Sequence, residues 1–350
     1  MSDEERTLSR REFLKRGAAA AGVAGAAVVT ASLAKNAPVE AQEGDTPLPY
    51  SIFTDPQYTL MMPGITADVN YQANGFNPTD VLTDFDGGQV STLPNGQTLH
   101  EYTVVAVEKS IELVPGLLYE AWTYNGRIPG PTIRAREGDR IRINFINGAT
   151  HPHGMHFHGI HPGNMDAVYD QVQPGDSFTY EFDAEPFGVH LYHCHAFPLA
   201  KHISKGLYGA FIVDPKDGWP QADHEFVMVQ SGFDVDFDDQ NDFYVVNGIP
   251  FHYSRHPIQI KTGELVRVFL INILEFDPIN SFHLHANFFH YYPTGTSLAP
   301  SEYTDTISQV QAQRGMLEFS YKYPGLFMFH AHKTEFAELG WTGVFEVTEA

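Results

Sequence analysis

His190-Leu-Tyr-His-Cys-His-Ala-Phe-Pro-Leu-Ala-Lys-His-Ile-Ser-Lys-Gly-Leu207 holds the only cysteine of the chain, Cys194, between His193 and His195, with His202 downstream. Val189, Leu191 and Tyr192, with the run from Tyr208 to Val213, read as strand. Successive side chains on a strand point to opposite faces. Cys194 therefore faces one way, and His193 and His195 face the other. One tripeptide can then hold a metal through sulfur on one face and further metals through imidazole on the other, a few covalent bonds apart. Such an arrangement wires an electron-accepting site to a separate reaction site.

Around this stretch the chain repeats itself. Asn125-Gly-Arg-Ile-Pro129, the run Ile133 to Asn147, and His156-Phe-His158 are matched by Asn247-Gly-Ile-Pro250, the run Ile258 to Asn272, and His283-Leu-His285. The endings also correspond: Phe187 to His195 with Gly206 to Val213, against Tyr323 to His332 with Gly340 to Val347. Each copy shows alternating strands between turn residues, the pattern of an all-β sandwich. Two β domains are expected over residues 98–216 and 222–348, joined through the turn cluster Asp214-Pro-Lys-Asp-Gly-Trp-Pro-Gln221.

Upstream, residues 42–97 are rich in Pro, Gly, Asn and Asp and read as an N-terminal extension packed over the domains. Residues 1–41 read as a twin-arginine signal peptide. Ser9-Arg10-Arg11-Glu12-Phe13-Leu14-Lys15 precedes an Ala/Gly/Val-rich segment, with cleavage expected after Ala34 or Ala41. Export would place the mature chain in the periplasm or outside the cell. The segment is short for a membrane span. Apolar residues make up 43% of the 350-residue chain, ample for two cores, and the formal charge of −22 argues against nucleic acid or anionic membrane as a partner.

Four H-x-H pairs stand at equivalent places in the two copies: His156/His158, His193/His195, His283/His285 and His330/His332. Both imidazoles of a pair project from one strand face. Eight imidazoles without carboxylate in the motifs, beside a Cys/His site, favour copper. Cys194, His153 and His202 make the His₂Cys set of a blue-copper site. Leu207 falls where such a site often carries methionine, so three-coordinate copper of raised potential is expected. The second copy has Asn280 in place of His153 and Ala331 in place of Cys194. One blue site per chain follows, in the first domain.

These motifs resemble those of the multicopper oxidases: H-x-x-H-x-H-G (His153, His156, His158, Gly159), H-C-H with downstream His and Leu (His193, Cys194, His195, His202, Leu207), and the paired H-x-H motifs of the second domain. The likeness covers residues 98–348 and is closest to two-domain, laccase-like members. It implies two cupredoxin-like Greek-key β-sandwich domains and one type 1, one type 2 and two type 3 coppers. His156 and His283 would hold the type 2 ion; His158, His193, His195, His285, His330 and His332 would hold the type 3 pair. It also implies a homotrimer, with the three-copper site between domain 1 of one subunit and domain 2 of the next.

By the same resemblance a small-molecule donor, phenolic by default, or a metal ion would yield electrons through the exposed edge of His202 or His153. Dioxygen would be reduced to water at the cluster. Asp166 and Glu335 are candidate proton-delivering carboxylates, and His151, His161 and His290 candidate supports for the ligands. The rival readings are copper nitrite reductase, in which an Asp stands where this chain has His156, and a non-catalytic electron-transfer protein.

Overall fold

The computed structural model describes residues 67–350. The twin-arginine segment and the first part of the extension lie outside the described residues. The strands of the first half are β1 (Phe85–Asp86), β2 (Gln89–Thr92), β3 (Thr98–Val114), β4 (Leu117–Tyr124), β5 (Thr132–Arg136), β6 (Arg140–Asn147), β7 (His156–Phe157), β8 (Ser177–Asp183), β9 (Gly188–His193) and β10 (Tyr208–Asp214). They form one sheet in the order β1-β5-β10-β9-β7 and another in the order β2-β3-β6-β8, with β4 paired to β3.

In the second half run β11 (His224–Phe233), β12 (Phe243–Val246), β13 (Ile258–Lys261), β14 (Val266–Asn272), β15 (Asn280–Leu284) and β16 (Phe289–Pro293). β17 (Glu302–Thr304), β18 (Thr306–Gln309), β19 (Arg314–Phe319), β20 (Gly325–His330) and β21 (Thr342–Thr348) complete it. Their sheets have the orders β12-β11-β14-β19-β16-β17 and β13-β21-β20-β15-β18. The helices are single turns: α1 (Tyr71–Asn74), α2 (Pro78–Val81), α3 (Leu199–Ser204), α4 (His252–Arg255) and α5 (Thr334–Glu338). Among the described residues no helix is long and apolar enough to cross a membrane.

Period-two alternation explains how the layers stack. On β11, Phe226 and Met228 enter the core of the second sandwich, while Val227 and Val229 enter a different core shared with the first domain. β14 splits likewise, with Val268 and Leu270 on one face and Phe269 and Ile271 on the other. These strands are apolar on both faces because both faces are covered. On β9, Val189 and Leu191 meet the shared core, while Tyr192 and the following Cys194 point into the first sandwich. The shared core thus anchors the cysteine strand. Burying each such side chain contributes about 1.5–3 kcal/mol, and Phe269→Ala should cost about 3–5 kcal/mol.

The repeat is visible in the turns. Asn125 and Asn247 both adopt a φ of 56°, each followed by a left-handed glycine. Each asparagine's Oδ1 accepts a backbone N–H of the neighbouring strand, from Val105 at 2.7 Å and from Val229 at 2.9 Å.

The first domain gathers more chain than its periodicity suggests. Residues 85–92, read from sequence as part of the extension, add β1 beside β5 and β2 beside β3. Two-to-four-residue strands broken by Asp and Gly carry too little alternation to be seen. The segment before them crosses to the second domain, where Val227 N donates to Leu82 O (2.8 Å) and the Tyr253 hydroxyl to Pro78 O (2.7 Å).

Candidate metal centres

Cys194 lies just past the end of β9 and is buried. His153 is fixed by a two-bond bridge to Val172, with N–H donating at 3.1 Å and carbonyl accepting at 2.8 Å. His202 comes from α3, whose entry follows Pro198. Their donor atoms converge. Cys194 Sγ is 3.2 Å from His202 Nδ1 and 3.8 Å from His153 Nδ1, and the two Nδ1 atoms are 3.1 Å apart. Burial pushes the His153 imidazole down to about 3 and that of His202 down to about 4, so both are neutral and offer lone pairs. Burial also pushes the Cys194 thiol up to about 11, so a metal here displaces a proton. Two imidazoles and one sulfur in a buried pocket, with apolar Leu207 beside them in the same core, suit copper.

The sequence leads one to expect an exposed edge on His202 or His153. The structure differs: both are buried. The cover is Trp122 of β4, whose ring lies 4.7 Å from that of His202 and 5.3 Å from that of His153. Exposed His151 packs at a tilt against the same indole at 4.8 Å and bonds to Glu108 at 3.3 Å. It therefore supports the cover rather than a ligand.

On the opposite face of β9, the four paired histidines of the first domain gather. His156 ring centroids stand 5.1 Å from His158, 5.1 Å from His193 and 5.3 Å from His195. His156 Nδ1 donates to the carboxylate of Asp166 (2.9 Å) and to its carbonyl (3.1 Å). His193 Nδ1 donates to Cys194 O at 2.9 Å. With Nδ1 carrying the proton, each leaves its Nε2 lone pair free, the state a metal needs. His158 Nε2 faces His193 Nε2 at 3.3 Å, and buried His195 Nδ1 has no hydrogen-bond partner.

The second domain repeats this geometry. His283 Nδ1 donates to Asp305 O (3.0 Å), His330 Nδ1 donates to Ala331 O (2.7 Å), and His285 Nε2 faces His330 Nε2 at 2.9 Å. His332 stands 5.1 Å from His283. Ala331 and Asn280 occupy the places of Cys194 and His153, Ala331 within the apolar core and Asn280 bonded to Asn272, so no sulfur site forms there. Among the described residues no ring contact joins the two sets of four histidines, and the potential ligand groups are separate.

Of the two candidate carboxylates, Asp166 lines a cavity with His156, His158, His161 and Arg314, whereas Glu335 sits in α5 beside Lys333 (3.6 Å) and lines neither histidine cavity. His161 Nε2 donates to Phe157 O at 2.8 Å and lies 3.8 Å from Asp166 Oδ1. His290 packs at a tilt against Tyr303 at 4.7 Å, a residue that lines the second-domain histidine cavity. Trp122 and Arg314 escape a sequence reading because they approach from other strands. Only the β3–β4 register for one and the packing of the domains for the other bring them in.

Two family models, both described as multicopper oxidase, match residues 107–218 and 224–350. A crystal structure of a multicopper oxidase is 62% identical, covers 80% of this chain and all of its own, and superposes with a TM-score of 0.79. A copper nitrite reductase from Nitrosomonas europaea is 30% identical over 71% of this chain and 94% of its own, with a TM-score of 0.66. The copper-containing nitrite reductase of Neisseria meningitidis is 31% identical over 65% of this chain, and the match spans 63% of that relative's length. Together with cupredoxin-like sandwiches and paired histidines in both halves, these likenesses lead to one conclusion: the chain belongs to the multicopper oxidases.

Proposed function

We propose that the chain is a copper oxidase coupling one-electron oxidation of a donor to reduction of dioxygen to water. Phenolic small molecules are the first donor class to try, and metal ions the second. The observation that carries this reading is the duplicated pair of facing imidazoles, His158/His193 at 3.3 Å and His285/His330 at 2.9 Å, in which His193 and His330 are each held by an Nδ1–H bond to a carbonyl. A mononuclear second site has no use for both. Copper, when bound, supplies one-electron redox capacity at the sulfur site and dioxygen reduction at the clustered imidazoles.

The chain's own residues do the rest. Trp122 keeps water from His153 and His202. The backbone from Cys194 to His193 and His195 is the shortest covalent route between the two faces of the strand. Asp166 holds the His156 tautomer and stands where a proton can be passed into the cavity. In this reading His153, Cys194 and His202 hold type 1 copper, His156 and His283 the type 2 ion, and the remaining six paired histidines the type 3 ions.

Because the two histidine sets are separate within one chain, a complete cluster needs a second copy, and the separation supports a closed ring of subunits. We take that ring to be a homotrimer. Export by the twin-arginine route to the periplasm or cell exterior belongs to the same reading and rests on Ser9 to Lys15.

Nitrite reduction is the second reading, favoured by the identity to nitrite reductases. Copper per chain in loaded protein, with oxygen and nitrite consumption on the same sample, decides between them. About four copper ions per chain with oxygen uptake supports the oxidase. About two with nitrite turnover overturns it.

A further inference from the structure

Arg314 is the first residue of β19 in the second domain, yet it lines the first domain's histidine cavity of about 530 Å³ with His156, His158, His161 and Asp166. Its Nε donates to Val189 O at 3.0 Å and its Nη1 to Ala312 O at 3.3 Å. Both are neutral carbonyls.

Elsewhere the arginines are neutralised. Arg127 pairs with Asp84, Arg134 with Asp214 and Glu225, Arg140 with Asp183, Arg142 with Glu181, Arg255 with Asp68, and Arg267 with Glu225 and Glu318. Among the described residues only Arg314 and exposed Arg136 have no carboxylate oxygen within ion-pair distance. The cavity's own carboxylate, Asp166, is committed to His156 at 2.9 Å and reaches His161 at 3.8 Å.

In a chain with 43 acidic and 21 basic residues, a half-buried guanidinium left without a carboxylate is an exception that costs free energy unless a counter-charge reaches it. Burial lowers its proton affinity, with no acid nearby to restore it. Cations held by the four imidazoles would make the cavity more positive still. A planar fork of donors beside that charge is a seat for a negatively charged oxygen, nitrogen or halide ligand.

We propose that Arg314 anchors a site for small monovalent inorganic anions, such as chloride, azide or nitrite, at the mouth of the first-domain histidine cavity. Occupancy would restrict entry to the imidazoles, making the ion a regulator of access. The site stands whether the histidines serve an oxidase or a single copper ion, so it goes beyond the proposed activity.

The test is chloride NMR line width on copper-loaded, fully reduced protein in its native assembly, with Arg314→Gln at equal copper content reporting any chloride held by the metal itself. Wild type should show saturable broadening that azide and nitrite displace. Arg314→Gln should weaken chloride by about tenfold or more and Arg314→Lys by less. Asp166→Asn should tighten it several-fold by removing a competing negative charge.

Broadening that does not saturate in wild type overturns the proposal. So does a folded Arg314→Gln protein, judged by its visible spectrum and assembly, that binds chloride as wild type does. Should Arg314→Gln not fold, Asp166→Asn decides, and unchanged affinity there overturns the site. Copper content and oxygen uptake of the same samples report separately on the oxidase reading.

Discussion

The indole of Trp122 meets the imidazole of His202 edge-on, with ring centroids 4.7 Å apart. His153 packs on the same indole, and the ammonium groups of Lys201 and Lys205 lie 5.6 and 5.7 Å from it. The ring is therefore a water barrier over the Cys194 site. Trp122→Ala should lower the reduction potential of the blue site by tens of millivolts, as water stabilises the more highly charged oxidised ion. It should also cost about 3–5 kcal/mol of stability. A redox titration of the blue band measures the first effect, and an unchanged potential would remove the barrier role.

Cys194→Ser separates the two kinds of centre. Serine cannot supply the sulfur, while His193 and His195 keep their positions on the other strand face. The variant should lose the blue band and donor turnover but retain roughly three quarters of the copper. Metal analysis beside a visible spectrum checks it, and loss of nearly all copper would show that the centres do not load independently.

Asp166→Asn keeps the size of the side chain and can still accept from His156 Nδ1 at the carbonyl oxygen, but it cannot carry a proton. Turnover should fall by about 10²-fold with copper content and blue band unchanged, and the loss should show in the turnover number rather than in KM for the donor. A fall confined to KM would place Asp166 in donor binding instead.

The loop between β11 and β12 predicts a pH effect apart from the histidine clusters. Burial, with Asp236, Asp234 and Asp238 nearby, pushes the Asp242 carboxyl up to about 6. A carboxyl whose folded pKa is raised favours folding below its unfolded value near 4 and loses that contribution as pH rises through about 6. Asp242→Asn should therefore stabilise the protein by about 2 kcal/mol at neutral pH and by little at pH 4. Its Val235 N–H bond can pass to the amide oxygen. Denaturant titrations at the two pH values test the sign, and equal shifts at both would contradict it.

The donor atoms of the candidate centres were legible in the chain because strand geometry translates spacing into direction. A period of two puts His193 and His195 on one face and Cys194 on the other wherever that strand lies, and duplication marks His283, His285, His330 and His332 as counterparts. Burial was not legible. His202 loses its exposed edge to an indole 80 positions upstream, and that meeting follows from the packing of β4 against the cysteine loop.

Arg314 reaches β9 across 125 positions of sequence, through a shared core that only two-faced packing of β9, β11 and β14 creates. The sequence by itself determined which atoms can bind metal, since side-chain direction along a strand is local. The tertiary structure decided which of them are dry, which charges face them, and that the two sets of four imidazoles stay apart within one chain. Those properties depend on what other segments lie opposite, and no local pattern encodes them.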